Sequence, residues 1–308
     1  MSPTGSLPTL AFDIGGSKIE AARVGADGAV SERATLPTPH TGWDDFARAI
    51  ATLVENAGGA SAIGISIAGT VDPATGIANA ANIPSITGHP IERKLAAHLG
   101  LPVRVGNDAD CFALAEAKAG VGRDQPVVFA VILGTGVGGG VVIDGRILRG
   151  ARGYSGEWGH GPVLADAVRA RGIPLVACGC GQVGCVDVYG SVRGLEYIHE
   201  GLSGTKLARH EITAAWHAGD AAAARTIETY VDLLTAPLSM IVNTLGPAVI
   251  PVGGGLSAET RLIERIDAVV RERVLARYDA PLVVPGTTRG ASGLIGAAML
   301  AAELLREA

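Results

Sequence analysis

Short apolar runs broken by glycine pairs open the chain and predict β-strands joined by tight turns. In LPTLAFDIGGSKIEAARVGADGAVSERATL (7–36), a first strand ends at the turn Gly15-Gly16, and a second ends at Ala26-Asp27-Gly28. Glycine and Asp-Gly pairs at such positions are typical of turns between strands, so a third strand follows the second. The next apolar run, AIGISIAG (62–69), predicts a further strand.

Helical spacing of apolar residues alternates with these strands. Apolar positions recur with a helical period over 43–57, 90–99 and 109–119, and the run PVRVG (102–106) predicts a strand between the last two. A loop rich in Gly, Asn and Pro covers 69–90. The first 120 residues therefore predict an α/β arrangement.

The opening pattern recurs at residue 127. VVFAVILGTGVGGGVVIDGRIL (127–148) again predicts a strand, a glycine turn, a strand, an Asp-Gly hairpin and a strand. This recurrence indicates a duplication, and two similar lobes around a cleft are the simplest architecture. We expect a small N-terminal α/β lobe over 1–119 and a large α/β lobe over 120–290, with a C-terminal helix at about 291–308 packing back on the first lobe.

Two long uncharged stretches, 125–143 and 233–258, resemble membrane spans in composition alone. Glycines interrupt the first, and prolines with a triple glycine interrupt the second, so neither predicts a membrane-spanning helix. Both predict buried strands or helices separated by turns. The remaining predicted elements are helices at 221–245, 259–275 and 291–306 and a strand in AVIPVGGGLS (248–257).

The composition is that of a globular protein, and it narrows the range of partners. Of 308 residues, 48% are hydrophobic and 18% are charged, and the formal net charge is -5. A mildly acidic chain without a basic run predicts no nucleic-acid partner. The amino terminus does not resemble a secretory signal, so we expect a cytoplasmic protein. The 44 glycines gather in a few clusters, where we expect the functional site.

Three glycine turns have the composition of phosphate-binding loops: DIGGSK (13–18), GTGVGGG (134–140) and GGGLS (253–257). Glycine lets successive backbone N–H groups approach an anion, and a following Ser or Thr adds a donor. An ordinary tight turn is the alternative for each one taken alone. The P-loop pattern G-x-x-x-x-G-K-[ST] does not occur, and the strand-like GVVIDG after the second turn disfavours a Rossmann site.

Asp13 ends the first apolar strand, where an ionised carboxylate is costly unless a cation or hydrogen-bond donors meet it. A magnesium–nucleotide complex would supply the cation. The alternative is that Asp13 caps its own turn.

Three of the four cysteines lie within eight residues, in CGCGQVGC (178–185). An odd cluster in a chain without a secretory signal indicates a reducing compartment rather than a disulfide framework. The intervening glycines let several thiolates turn towards one point, which favours a metal site, and zinc in particular. A redox centre is the alternative.

Six motifs in this order resemble the ROK family (repressor, open reading frame, kinase) of bacterial sugar kinases: FDIGGSK, GNDADCFALAEA, ILGTGVGGG, GEWGH, CGCGQVGC and PVGGGLS. The resemblance extends from about residue 10 to residue 300. It implies a two-lobed α/β fold of the actin/hexokinase (ribonuclease H-like) type with ATP in a central cleft. The implied reaction is phosphoryl transfer from ATP to a hexose hydroxyl.

The resemblance assigns residues to ATP and to catalysis. Asp108 matches the family's catalytic base, which accepts the proton of the sugar hydroxyl, and its place before a helix should keep it ionised. The structural alternative is that Asn107 or Asp108 only caps that helix. The residues implied at ATP and its Mg²⁺ are Asp13, Gly15, Gly16, Ser17, Lys18, Gly134, Thr135, Gly136, Val137, Gly138, Gly254, Gly255 and Leu256.

The same resemblance implies a structural Zn²⁺ site of the Cys₃His type, formed by His160, Cys178, Cys180 and Cys185. A metal on one imidazole nitrogen of His160 would fix the other nitrogen to address a sugar hydroxyl. Cys111 lies outside this pattern. The polar ring implied around the sugar consists of Asn82, Asn107, Asp108, Glu157, His160 and Asp187.

One position departs from the family pattern. Asp187 stands where the family usually has Glu, and its side chain is shorter by one methylene. We expect a sugar contact near the first or second carbon to be lost, loosened or bridged by water.

Within the family, AANIPSITGHPI (80–91) and the 17-residue gap between His160 and Cys178 resemble members that phosphorylate the 6-hydroxyl of N-acetyl-D-glucosamine. Fructokinases, glucokinases and mannokinases of the same family are the alternatives. A sugar-responsive transcriptional regulator is the alternative from another class, but such members carry an added helix-turn-helix, and the first phosphate turn already begins at residue 13. A homodimer is a family expectation.

Overall fold

The computed structural model of the protein describes residues 9–25, 27–288 and 290–307, which form two compact units. The first unit contains the described residues up to Gly120, the segment Arg146–Ser155 and the described residues from Thr288 onwards. The second unit contains Val121–Gly145 and Gly156–Thr287. Ala26 of the predicted hairpin and the outermost residues of the predicted lobes (1–8 and 308) lie outside the described residues.

The strands alternate with helices along the whole chain. The strands are β1 (Leu10–Ile14), β2 (Lys18–Val24), β3 (Val30–Pro37), β4 (Ile63–Ile67), β5 (Thr70–Val71), β6 (Ala78–Asn79), β7 (Val103–Asn107), β8 (Val127–Leu133), β9 (Val137–Ile143), β10 (Arg146–Ile147), β11 (Ile250–Gly253) and β12 (Val283–Pro285). The helices are α1 (Trp43–Asn56), α2 (Ile91–Leu99), α3 (Asp108–Ala119), α4 (Ala165–Ala170), α5 (Val186–Tyr189), α6 (Val192–Ser203), α7 (Arg209–His217), α8 (Ala221–Leu245), α9 (Thr260–Arg273) and α10 (Ser292–Glu307). A 3₁₀ turn covers Gly255–Ala258.

The first unit is built on a five-stranded sheet with the order β3-β2-β1-β4-β7. The strands β1, β4 and β7 run parallel, whereas β2 pairs antiparallel with both β1 and β3. In the register, Asp13 lies beside Ser66, and Ser66 lies beside Gly106. Because the carboxyl ends of parallel strands meet at one edge, Asp13 and Asn107 are brought to the same edge of the sheet.

Alternate residues of β1 face opposite layers, as the two-residue period of a strand requires. Phe12 joins a core that includes Phe46 of α1, whereas Ala11 packs with Ala297 of α10 on the other face. The approach of α10 is close, because a Cβ at Gly296 would lie 2.1 Å from the carbonyl oxygen of Cys111 in α3. The predicted return of the C-terminal helix corresponds to α10 of the first unit.

A buried carboxylate of α3 holds the segment that leads into α10. Oε1 of Glu116 accepts hydrogen bonds from the backbone N–H and the hydroxyl of Thr288, each at 2.7 Å, across 172 positions of sequence. The Glu116 residue has no solvent exposure. This contact fixes the start of α10 relative to α3.

The second unit repeats the strand order of the first. Its sheet has the order β10-β9-β8-β11-β12, with β8 and β9 antiparallel and β8, β11 and β12 parallel. The core contains Phe129 of β8 together with residues such as Tyr230 of α8 and Ile266 of α9. The duplicated sequence pattern thus folds into a duplicated strand order.

Two sequence expectations differ from the structure. The segment Arg146–Ser155 was assigned to the large lobe, but it belongs to the first unit, where Ile147 packs against the buried side chains of Cys111 and Leu114. The sequence also predicted no helix between residues 165 and 217, where four occur.

The two uncharged stretches are part of the globular fold, as predicted. The first contains β8 and β9, and the second contains the end of α8, β11 and the 3₁₀ turn. None of the helices in the described part of the chain combines the length and hydrophobicity that crossing a bilayer requires.

Candidate active site

Asp13 stands at the end of β1, on the face that α10 covers. A Cβ at Gly293, in the first turn of α10, would lie 2.5 Å from Cγ of Asp13, so the helix begins directly at this carboxyl. Burial raises the pKa of the Asp13 carboxyl, and the neighbouring Ser66 hydroxyl opposes that shift. The carboxylate is therefore ionised at a cost that a nearby cation would offset.

The first glycine turn presents N–H groups outwards. The Gly15 N–H donates to the Lys18 carbonyl at 3.0 Å, while the carbonyls of Gly15 and Gly16 contact Thr38 Oγ1 and His40 Nε2 at 2.7 and 2.8 Å. Among the described residues, the N–H groups of Gly16 and Ser17 have no hydrogen-bond acceptor. Because the carbonyls of the turn are engaged by neighbouring side chains and two of its N–H groups have no acceptor in the described part of the chain, the turn can bind an anion through those N–H groups.

Two predicted residues near this turn have partners that the sequence did not reveal. A Cβ at Gly16 would lie 2.9 Å from the Asn82 carbonyl oxygen, so Asn82 packs directly against the turn. The Lys18 ammonium lies 2.8 Å from a carboxylate oxygen of Glu20, which also pairs with Arg33 at 2.7 Å. The cation expected at the phosphates is thus engaged by a neighbour on its own strand.

Asn107 and Asp108 link β7 to α3, and each has a distinct role. Asn107 is the N-cap of α3, and its Oδ1 accepts a hydrogen bond from the Asp110 N–H at 2.6 Å. The cap that the sequence left open as an alternative is therefore present at Asn107. Asp108 is the first helical residue, is exposed to solvent, and accepts a hydrogen bond from the Ala109 N–H at 2.9 Å.

The second glycine turn, in the second unit, has the same construction as the first. The Gly134 N–H donates to the Gly136 carbonyl at 3.0 Å, and the carbonyls of Gly134 and Thr135 accept hydrogen bonds from the Val192 N–H and the Arg193 guanidinium. Within the described ranges, the N–H groups of Thr135 and Gly136 have no acceptor. This turn is a second anion cradle.

The last two residues predicted in this turn belong to β9 instead. The Val137 N–H donates to Oδ1 of Asp187 at 2.8 Å, and Gly138 pairs with Ile132 in the β8–β9 ladder. A phosphate at this turn would therefore meet the N–H groups of Thr135 and Gly136 rather than that of Val137.

The third glycine turn packs against the second. Gly254 has φ +80°, and a Cβ there would lie 2.5 Å from the Leu133 carbonyl oxygen, so only glycine fits. A Cβ at Gly134 would lie 3.9 Å from the Gly254 Cα, and Gly255 opens the 3₁₀ turn. The Leu256 side chain is fully buried in the core, which leaves its backbone as the part that a nucleotide could reach.

The loop GEWGH (156–160) packs directly on the backbone of β9 because its glycines have no side chains that would separate the two segments. Cβ atoms at Gly156 and Gly159 would approach the carbonyl oxygens of Gly139 and Val137 to 2.4 and 2.3 Å. Trp158 fixes the loop by donating to the Gly138 carbonyl at 2.9 Å. This packing places Glu157 and His160 beside the second glycine turn.

The predicted metal ligands lie together in the second unit. Nδ1 of His160 and the Sγ atoms of Cys178, Cys180 and Cys185 lie within 4.8 Å of one another. The Cys180–Cys185 sulfur distance is 3.6 Å, and Cys178 Sγ lies 3.5 Å from the imidazole nitrogen. Tetrahedral zinc with Zn–S bonds of about 2.3 Å separates two thiolates by about 3.8 Å, so these four residues fit zinc.

The pKa values of the three clustered thiols indicate that a bound cation would be needed to keep all of them ionised. Burial raises the pKa of Cys178 to about 12 and raises that of Cys185, whereas a hydrogen bond from the Gln182 backbone lowers the pKa of Cys180 to about 7. Three thiolates at one point repel one another unless a dication shares their charge. No disulfide joins the four cysteines, all of which are free.

Glu157, His160 and Asp187 form the polar side of this cluster. Nε2 of His160 lies 4.0 Å from Oε2 of Glu157, and burial raises the pKa of Glu157. With Nδ1 turned to the cysteines, Nε2 is the nitrogen left to carry a proton and donate it. Asp187 places Oδ1 on the Val137 N–H, while its Oδ2 lies 3.5 Å from Cys178 Sγ.

The family signature covers nearly the whole chain, with the ROK family matching residues 9–304. The chain belongs to the ROK family. N-acetyl-D-glucosamine kinases of Salmonella newport and Salmonella typhimurium are each 37% identical to it over 295 residues, which is 94% of this chain and 97% of theirs.

Solved ROK structures share the fold, which is the actin/hexokinase-like α/β fold that the sequence predicted. The ROK hexokinase from Thermus thermophilus superposes with a TM-score of 0.84 at 31% identity, covering 97% of this chain and 99% of that one. The ROK family glucokinase from Streptomyces griseus, in complex with glucose and AMPPNP, has a TM-score of 0.73 at 30% identity, covering 96% and 99%.

One residue beside the second glycine turn of this ROK protein was missed by sequence reasoning. Arg193 contacts that turn from 58 positions further along the chain. Asp187, which was predicted at the sugar, also contacts the turn through the Val137 N–H, 50 positions away. Arg193 follows Ser191, whose hydroxyl caps α6 by accepting the Gly194 N–H. A Ser N-cap preceding an Arg is the one local signal, and it does not indicate a nucleotide.

Proposed function

We propose that this ROK protein is an ATP-dependent sugar kinase that transfers the γ-phosphoryl group of ATP to the 6-hydroxyl of N-acetyl-D-glucosamine. The observation that carries the proposal is the pair of glycine turns, each of which has two N–H groups without an acceptor among the described residues and carbonyls that accept hydrogen bonds from neighbouring residues. The choice of sugar is supported by the similarity to the Salmonella N-acetyl-D-glucosamine kinases.

The proposed nucleotide site uses backbone donors and one carboxylate. Gly16 and Ser17 of the first turn, and Thr135 and Gly136 of the second, would hold phosphate oxygens. Mg²⁺ bound to the phosphates would neutralise charge on the transferring group and would offset the cost of ionised Asp13. Gly254 and Gly255 would lie along the adenosine.

Asp108 is the proposed general base. Phosphoryl transfer passes through a loose transition state, so a carboxylate that orients the hydroxyl and takes its proton late is sufficient. The Asp108 side chain is exposed and therefore accessible to a hydroxyl, and the N-terminus of α3 favours its ionised form.

The proposed sugar contacts are those that the family resemblance implies, including Asn82, Asn107, Glu157 and His160. Zinc would hold Nδ1 of His160 and the three thiolates, and its chemistry is structural because four protein ligands close the coordination shell. The Nε2–H group of His160 would then donate to a sugar hydroxyl, and Glu157 would accept from one. Asp187 retains only Oδ2 for the sugar, because Oδ1 is committed to Val137.

A sugar panel tests this function directly. Release of ADP is followed with N-acetyl-D-glucosamine, glucose, mannose and fructose, and the phosphorylated carbon is located by NMR of the product. We expect the highest kcat/KM for N-acetyl-D-glucosamine and phosphate on carbon 6. A preference for fructose would replace the substrate, whereas ADP release independent of every sugar would remove the kinase assignment.

Two finer properties are also proposed. Assembly as a homodimer rests on the family expectation and is measured by sedimentation velocity, where a monomer at micromolar concentration would contradict it. A cytoplasmic location is supported by the four free cysteines, which need a reducing compartment to remain so.

A further inference from the structure

The second glycine turn has an acidic neighbour, Asp187, whose Oδ1 accepts from the Val137 N–H, and a cationic neighbour, Arg193. Arg193 lies in the first turn of α6, and its Nη2 donates to the Thr135 carbonyl at 3.3 Å. The Arg193 side chain is exposed, and within the described residues it forms no ion pair with a carboxylate. An arginine with one weak carbonyl contact has most of its N–H donors unused.

The position of Arg193 is fixed by the backbone on both sides. The preceding residue, Val192, donates its N–H to the Gly134 carbonyl at 2.8 Å, and the N-cap Ser191 is buried. The following residue, Gly194, has no room for a side chain, because a Cβ there would lie 2.4 Å from the Tyr189 carbonyl oxygen. The backbone of Arg193 is thus fixed beside the turn, which keeps the guanidinium within reach of it.

Lys18, the other cationic side chain expected at the phosphates, forms an ion pair with Glu20. Lys18 pairs with Glu20 at 2.8 Å, and this ion pair and its hydrogen bond raise the pKa of Lys18. Asp13 brings a further negative charge to the first turn. A nucleoside triphosphate carries several negative charges, and Arg193 is a cation at the second turn that forms no ion pair among the described residues, although the Asp187 carboxylate lies against the same turn.

We infer that Arg193 binds a phosphate oxygen of the nucleotide held on the Thr135–Gly136 turn. This inference rests on the proposed kinase function and adds a cationic side chain to the backbone N–H donors of the second turn. Guanidinium matches a phosphate with two parallel N–H donors, which the single contact to Thr135 leaves available.

The test compares nucleotides that differ only in their phosphates. Isothermal titration calorimetry measures the binding of adenosine, AMP, ADP and ATP to the wild type and to Arg193→Met, and steady-state kinetics give KM for ATP. We expect Arg193→Met to weaken ADP or ATP binding about 10- to 100-fold, the usual size of one charged hydrogen bond, and to leave adenosine binding unchanged. Arg193→Lys should recover part of the loss, because it keeps the charge without the paired donors.

Matched controls separate this contact from damage to the fold. Arg225→Met removes an exposed arginine of α8 and should leave all four affinities unchanged. Equal affinity of Arg193→Met and wild type for ATP and ADP overturns the inference, and so does an equal loss for adenosine, which would indicate a distorted turn. Failure of the wild type itself to bind ADP would instead remove the proposed function.

Discussion

Asp13 and Asp108 lie at the carboxyl ends of two parallel strands, β1 and β7, at the same edge of the first sheet. Their side chains differ in exposure to solvent. Asp108 is exposed at the start of α3, whereas Asp13 faces the first turn of α10 and has a raised pKa because of burial. An accessible carboxylate suits proton transfer with a bound hydroxyl, and a desolvated one suits a cation. The two acids therefore have separate proposed roles.

Replacement of Asp108 by Asn removes the proposed base while keeping the side-chain volume. We expect kcat to fall about 10²- to 10⁴-fold, the usual contribution of general acid–base catalysis, with KM for the sugar nearly unchanged. Steady-state kinetics measure both quantities. Asp124→Asn, at an exposed position with φ +62° that Asn tolerates, is the control and should keep full activity. Turnover near the wild-type value in Asp108→Asn would disprove the assignment.

Replacement of Asp13 by Asn has an effect on stability that depends on pH. Because folding raises the pKa of Asp13, the ionised carboxylate lowers the free energy of unfolding once the pH exceeds that raised value. We expect Asp13→Asn to unfold at a higher temperature than the wild type at neutral pH without nucleotide. The difference should shrink as the pH falls through the raised pKa towards the ordinary Asp value of about 3.9.

Glu20→Gln provides a control of opposite sign for this pH series. Its pKa is lowered by the hydrogen bond and charge of Lys18 and by Arg33, so its ionised form stabilises the folded state. Glu20→Gln should therefore lower the unfolding temperature at neutral pH, and the loss should disappear in acid. A pH-independent difference for Asp13→Asn would show that burial of its charge is not the cause.

Sequence motifs predicted the site residues but not the hydrogen bonds that those residues form in the structure. The motifs predicted that Asp108 follows β7, and the structure places it there at the start of α3. Lys18 and Val137 were predicted at phosphates, but Glu20 and Asp187 engage them. The Lys18 ion pair depends on rotamers, and the Val137 contact depends on tertiary packing across 50 positions, neither of which a motif encodes.

The cysteine loop at 178–185 has few backbone hydrogen bonds of its own, so we expect metal binding to stabilise it. Between Cys178 and Cys185, the backbone closes through the Cys178 N–H to the Gln182 carbonyl at 2.8 Å and the Gly181 N–H to the Cys178 carbonyl at 3.0 Å. Such a short, glycine-rich loop gains little from burial, so we expect its order to come from the bound metal.

Removal of the metal tests this dependence. The purified protein should contain about one zinc per chain, and a strong chelator or Cys180→Ala should remove it, lower the unfolding temperature and reduce kcat/KM for the sugar. Elemental analysis and thermal unfolding are measured on the same sample. Cys111→Ala, which alters a buried cysteine outside the cluster, should retain zinc even though it destabilises the core. Full zinc content in Cys180→Ala would exclude that thiol as a ligand.

Helices with regular apolar spacing were predicted almost to the residue. The prediction of 43–57 corresponds to α1 at Trp43–Asn56, and that of 221–245 coincides with α8. No prediction covered α6, which contains Gly194 and Gly201 in its interior and therefore has a weak intrinsic tendency to be helical. Close packing is the reason for Gly194, since a Cβ there would meet the Tyr189 backbone.

Duplication accounts for the strand order of the protein as a whole, but the boundaries of its units follow packing rather than sequence order. The repeated strand–turn–strand pattern predicted two similar α/β halves, and the two sheets share one order. The segment Arg146–Ser155 is assigned to the first unit because Ile147 finds its apolar partners there. A repeated pattern can be read from the sequence, whereas the unit to which a short segment belongs depends on tertiary contacts that the sequence does not show.

The hydrogen bonds between Glu116 and Thr288 have a consequence for how the chain is made. During synthesis at about 5–20 residues per second, the Glu116 carboxylate of α3 waits roughly 10–35 s for Thr288, which lies 172 positions later, and the alanine face of β1 waits longer still for Ala297 of α10. In that interval the nascent first unit exposes the apolar face of β1 and the Glu116 carboxylate, both of which are buried in the folded protein. Ribosome-associated chaperones that shield such surfaces are therefore the cellular factors on which the yield of this protein should depend.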